Sequence, residues 1–128
     1  MTTVQGLRME SSVFSSEDIN QFARELKAIS EPNRLLLLEK IIEGVQSNHD
    51  LGEALQIAPN LISHHLGVLR EAGLVTVERD AHDARWVYYS PNPEALENLR
   101  QAFGAFCDPQ RIQPRCPMGG PQAEDGPD

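Results

Sequence analysis

The sequence predicts a mostly α-helical domain that carries one small β-hairpin. Three observations lead there. Apolar residues recur at helical spacing in five stretches between Ile19 and Phe106. One stretch, Leu74 to Ser90, is instead β-branched and aromatic, broken by a polar tip. Prolines and glycines fall at the joints: Pro32, Gly44, Pro59, Gly73 and Pro93.

Taken in order, residues 1–16 show no clear period and read as a flexible N-terminal arm. Ser16-Glu17-Asp18 starts the first helix, with acids in its first turn. Ile19, Phe22, Ala23, Leu26 and Ile29 then follow helical spacing. Ser30-Glu31-Pro32 breaks the helix and restarts it, since proline is well placed in a first turn. Arg34 to Ile42 makes the second helix, with Leu35, Leu38, Ile41 and Ile42 as its expected core face and Gly44 as its stop. Asp50 to Gln56 is a short third helix, with Leu51, Ala54 and Leu55 facing inward. Ile57-Ala58 is the turn after it. Pro59 opens a fourth helix, on which Ile62, Leu66 and Leu69 stack at i, i+4 and i+7.

Leu74 to Arg79 and Arg85 to Ser90 are the hairpin strands, and Asp80 to Ala84 is the tip. Asn92-Pro93 caps a last helix that carries Leu96, Leu99, Phe103 and Phe106, a heptad-like spacing suited to a helix–helix seam. Five of the nine prolines lie in residues 108–128, which predicts a disordered Pro/Gly-rich tail. Residues 17–107 form the single expected domain.

The totals limit the function. At 128 residues and 40% hydrophobic, the chain suits one domain that gains from dimerisation. Its net charge of −8, from 11 basic and 19 acidic residues, is the wrong sign for a generic nucleic-acid binder. The placement of the few cations therefore matters more than their sum. No apolar run approaches the roughly 20 residues of a membrane span, and no secretory signal is visible, so a cytoplasmic location is expected. In a reducing compartment, Cys107 and Cys116 read as thiols, metal ligands or redox sensors. There is no glycine-rich phosphate loop, no plausible carboxylate pair and no scaffolded Cys–His arrangement, so no enzyme is expected.

Two short helices joined by a tight turn make a helix-turn-helix, and the hairpin behind them is a wing. Four motifs sharpen this reading: Glu31-Pro32-Asn33-Arg34-Leu35, Asp50-Leu51-Gly52-Glu53-Ala54-Leu55, Ile62-Ser63-His64-His65-Leu66 and Leu69-Arg70-Glu71-Ala72-Gly73-Leu74-Val75. Together they resemble the ArsR/SmtB family of winged helix-turn-helix transcriptional repressors, over about Glu17 to Phe106. The resemblance implies a homodimer built through the first and last helices. It also implies operator DNA that is released by a metal, a metalloid or an oxidant.

On the fourth helix, Asn60, Ser63, His64 and Gly67 share a face opposite Ile62, Leu66 and Leu69. Asparagine pairs bidentately with adenine, and serine bonds several base edges or phosphates. The expected DNA-binding set is Pro59, Asn60, Leu61, Ser63 and His64 on this helix, with Arg79 and Arg85 flanking the wing tip. The wing arginines have an alternative, local pairing with Asp80 and Asp83, and His65 reads as structural. Two departures from the family pattern weaken phosphate contact: Ala58 where relatives often have Ser, and Gly67 where they often have a basic residue.

The resemblance also places inducer sites. A cysteine pair at the start of the third helix is replaced here by Ser47 and His49. A nitrogen-rich zinc site across the last helices needs histidines, and residues 93–106 hold none. Cys107 and Cys116 remain as the candidate metal ligands. As thiolates, the two are the expected chelators of trivalent arsenic or antimony, methylated forms included; three-coordinate arsenic needs a third ligand, for which the partner chain is one candidate source, and the alternative is that the two thiols oxidise to a disulfide. No obligatory cofactor is expected, and a regulator without an inducer is the remaining alternative.

Overall fold

The computed structural model describes residues 14–115. Five helices and one hairpin follow in the order α1 (Ser16–Ile29), α2 (Pro32–Ile42), α3 (Asn48–Leu55), α4 (Pro59–Glu71), β1 (Val75–Arg79), β2 (Val87–Pro91) and α5 (Pro93–Phe106). Four of the five helices start on a side-chain cap. Ser15, Glu31, Ser47 and Asn92 each accept the backbone N–H three residues on, which satisfies a donor that has no partner inside the helix. Gly44 and Gly73 stop α2 and α4 with φ of 107° and 82°, conformations that favour glycine.

The core gathers Phe22 and Ala28 of α1, Leu37, Leu38 and Ile41 of α2, Leu51 of α3, and Ile62, Leu66 and Leu69 of α4. Leu74, Val75 and Leu99 close it. The core face of α2 differs from the expected one. Leu38 and Ile41 are buried, but so is Leu37, while Leu35 and Ile42 are 50% and 53% exposed. Four consecutive leucines leave the helix apolar over most of its circumference, so spacing alone does not fix its phase. Packing against α4 and β2 fixes it instead. Ala54, expected inside, is exposed, as is Ala23 of the helically spaced series on α1, where the buried positions are Phe22, Glu25 and Ala28.

The hairpin is antiparallel, with Val75 opposite Pro91 and Arg79 opposite Val87. β2 is also tied, on its other edge, to the start of α3 and the two residues ahead of it. Tyr89 N–H donates to the Gln46 carbonyl at 2.7 Å, Ser47 bridges to Tyr88, and Val87 N–H donates to Asn48 Oδ1 at 3.2 Å. The wing is thereby fixed to the helix-turn-helix. Beyond α5, Pro109–Arg111 forms a 3-10 turn, capped by the Asp108 side chain. Arg111 Nη1 folds back to donate to the Ala105 and Phe106 carbonyls at the end of α5. Most of the expected N-terminal arm, and the tail from Cys116 onward, lie outside the described residues. No helix among the described residues is long and apolar enough to cross a membrane.

Candidate nucleic-acid interface

Helix α4 separates its residues sharply. Ile62, Leu66 and Leu69 are fully buried, and His65 beside them is buried too. Asn60, Leu61, Ser63 and His64 are exposed on the other side. Thus the α4 residues of the expected DNA-binding set fall on one accessible surface, with Pro59 exposed at its start. A Cβ built on Gly67 meets nothing within 4 Å, so that part of the face is open. Ala58 occupies the cap position in extended geometry but supplies no side-chain acceptor. Pro59 has no N–H to satisfy. The first-turn N–H groups of Asn60 and Leu61 stay available, at the end of the helix where the dipole favours an anion.

The wing tip is an organised turn. Asp80 Oδ2 accepts from the N–H groups of His82 and Asp83 at 3.1 and 3.0 Å. Arg85 does not stand free. Its Nε and Nη2 donate to Asp83 at 3.0 and 2.8 Å. This pairing holds the Asp83 carboxyl below the usual carboxylate range and raises Arg85 above its ordinary value. Arg79 Nη1 donates to the Ala84 carbonyl at 2.9 Å. That bond orients the guanidinium without neutralising it. Burial pushes the Tyr89 phenol up, and the charges of Arg70 and Arg79 oppose that shift.

Two wing contacts carry no signal in the linear sequence. Trp86, the single tryptophan, sets its ring edge-on to His49 with centroids 5.5 Å apart. Asn48 holds the same strand through Val87 N–H. A groove between the wing and the helix-turn-helix is lined by His49, Pro59, Ser63, Arg85 and Trp86. The exposed start of α4 and the wing therefore share one side of the molecule.

A family model described as "Bacterial regulatory protein, arsR family" matches residues 31–77. The HTH-type transcriptional regulator NmtR of Mycobacterium tuberculosis is 36% identical over 93 residues, which is 73% of this chain and 78% of the relative. This chain belongs to the ArsR family. The biofilm growth-associated repressor of Xylella fastidiosa is 30% identical over 92 residues, covering 72% of this chain and 79% of the relative. A solved structure named "Possible transcriptional regulator for arsenical resistance" superposes with a TM-score of 0.58 at 36% identity, covering 65% of this chain and 83% of that one. The chain is thus a transcriptional regulator and not an enzyme.

Within this ArsR-family fold, the start of α3 is built for structure. Ser47 is buried, and its hydroxyl accepts Asp50 N–H at 2.9 Å. His49 is taken up by Trp86. Cys107 caps the C-terminus of α5, exposed and with a free thiol. Cys116 lies outside the described residues. Among the described residues, no three His, Cys, Asp or Glu side chains converge as a metal site.

Proposed function

We propose that this ArsR-family regulator is a homodimeric cytoplasmic repressor that grips operator DNA through α4 and leaves it when trivalent arsenic or antimony binds Cys107 and Cys116. The observation that carries the DNA half is the α4 surface: Asn60, Ser63 and His64 are exposed directly opposite a fully buried apolar stripe. Small polar side chains on a helix backed by a packed core suit major-groove readout. Pro59, Leu61, Arg79 and Arg85 complete the contact surface.

Dimerisation through α1 and α5 is supported by the apolar surface that one chain leaves uncovered. Phe103 and Phe106 are exposed although their rings pack with Phe22 of α1. A second α5 laid against them covers that surface and holds two recognition helices apart at the roughly 34 Å of adjacent half-sites.

The inducer half rests on where Cys107 sits. Cys107 is an exposed thiol at the C-cap of α5, where a thiolate would be open to soft metalloids and adjoins the helix proposed to set dimer geometry. Ligand releases DNA only through a difference in its affinity for the two dimer states. In the experiment, operator binding is measured with and without arsenite for wild type and for Cys107→Ser/Cys116→Ser. Arsenite is expected to weaken the wild type by about tenfold or more and the double variant not at all. Release that persists in the double variant refutes the thiol site. Release of the wild type by peroxide but not arsenite identifies disulfide formation as the signal, and no release by either leaves an inducer-free regulator.

A further inference from the structure

Behind the recognition face lies a polar joint that hydrophobic packing does not explain. Arg34, in the first turn of α2, donates from Nε to the Ala28 carbonyl of α1 at 2.5 Å. Its Nη1 lies 3.1 Å from Nδ1 of the buried His65 on α4. A guanidinium only donates, so His65 Nδ1 accepts and the ring proton sits on Nε2. That edge faces Glu31 Oε1 at 3.9 Å, and the same oxygen accepts Arg34 N–H at 3.1 Å as the cap of α2. One arginine thus joins α1, α2 and α4. The imidazole it holds packs beside His64 of the exposed face, with ring centroids 5.4 Å apart.

We infer that Arg34 is a positioning residue for DNA recognition: by tying the end of α1 to His65, it sets the orientation of the α4 reading face. This rests on the reading that α4 meets DNA. An apolar residue at position 65 would extend the Ile62–Leu66–Leu69 stripe and serve packing alone. A buried polar contact adds direction, because it is satisfied in one geometry only. It also links the recognition helix to the helix on which the dimer is built.

The test uses the full chain and two duplexes, one from the DNA upstream of its gene and one of scrambled sequence. His65→Leu and Arg34→Met are each expected to lower affinity for the upstream duplex by about tenfold, the size of one charge-assisted bond to a buried group. Affinity for the scrambled duplex should stay unchanged. The double variant should lose no more than either single one. His65→Asn, which keeps an acceptor near the Nδ1 position, should recover most of the loss, and it also serves if His65→Leu fails to fold. Additive losses, equal losses on both duplexes, or His65→Asn behaving like His65→Leu overturn the inference while the operator reading stands. A wild type that binds both duplexes alike overturns the operator reading, and this inference with it.

Discussion

Substitution at Ala58 tests both the stability and the orientation of the recognition helix. Ala58 has the extended geometry of a helix cap, φ −62° and ψ 148°, yet offers no acceptor. At the equivalent position of α1, α3 and α5, the side chains of Ser15, Ser47 and Asn92 accept a backbone N–H at 3.0, 2.9 and 3.3 Å. Ala58→Ser needs no backbone change to do the same. Replacing a good cap by alanine typically costs about 1 kcal/mol, so the reverse change should stabilise by about that much. For roughly a hundred ordered residues this raises Tm by about 4–6 °C, read by thermal unfolding at one fixed protein concentration.

Ala58→Asp separates stability from binding. Its carboxylate caps α4 and complements the helix dipole, so the stability gain should match or exceed that of serine. The same charge stands where a DNA phosphate would approach the free N–H groups of Asn60 and Leu61. Operator affinity, measured by fluorescence anisotropy, should fall by about tenfold or more relative to Ala58→Ser, a loss that corresponds to roughly 1.4 kcal/mol. If the aspartate variant binds DNA as well as the serine variant, the start of α4 does not face the backbone. If neither variant is stabilised, position 58 does not act as the cap of α4.

Leu69→Ala removes a fully buried side chain from the α4 stripe and should cost about 3 kcal/mol in urea unfolding. Gly73→Ala forces a side chain onto φ 82° and should cost about 1 kcal/mol by the same measurement, even though the space around it is open. Because Arg85 lowers the Asp83 pKa, the favourable pairing is present above the ordinary carboxylate value and is lost as pH falls through the depressed one. Carboxyl NMR should show the Asp83 midpoint rise towards 3.8 in Arg85→Ala. With one or two wing arginines per protomer on phosphate, operator affinity should fall with salt at a log–log slope of about −2 to −4. A slope steeper than about −6 would mean that other cations carry the contact.

Helix α4 was legible because its signals agree. Pro59 opens it, Gly73 ends it, and the spacing of Ile62, Leu66 and Leu69 leaves one phase for the buried face. The phase of α2 was not legible. Leu35 to Leu38 offers several apolar faces, and the choice belongs to the elements packed against it. The Arg34–His65 contact joins residues 31 apart in sequence, and the wing meets α3 across a similar gap through Asn48 and Val87. No local period encodes either. The Arg85–Asp83 pair was within reach of the sequence, two residues apart, but the sequence left a choice between DNA and the neighbouring carboxylate. The turn that Asp80 nucleates brings Asp83 under the guanidinium, and this pairing is what the structure shows.

Three local features bear on how an acidic chain grips DNA. Arg85 is already matched by Asp83, so its charge reaches a phosphate only if that pair opens or carries its carboxylate along. Gly67 leaves a gap on the recognition face where a long basic side chain would fit. Ala58 leaves helix N–H groups open at the start of α4. The first two remove long-range attraction. The third keeps a short-range one, because free amides recognise a phosphate only in contact and in the right direction. Attraction that acts only in contact adds little on arbitrary DNA, where the helix is not seated. On the proposed α4 reading, it adds its full value on a site where Asn60 and Ser63 also find base edges. Removing cations from this surface therefore lowers non-specific binding more than specific binding. A chain with a net charge of −8 can in this way discriminate between sequences while holding any one of them lightly. On the proposal that an inducer binds at the end of α5, light holding lowers the differential affinity it must supply to clear the operator.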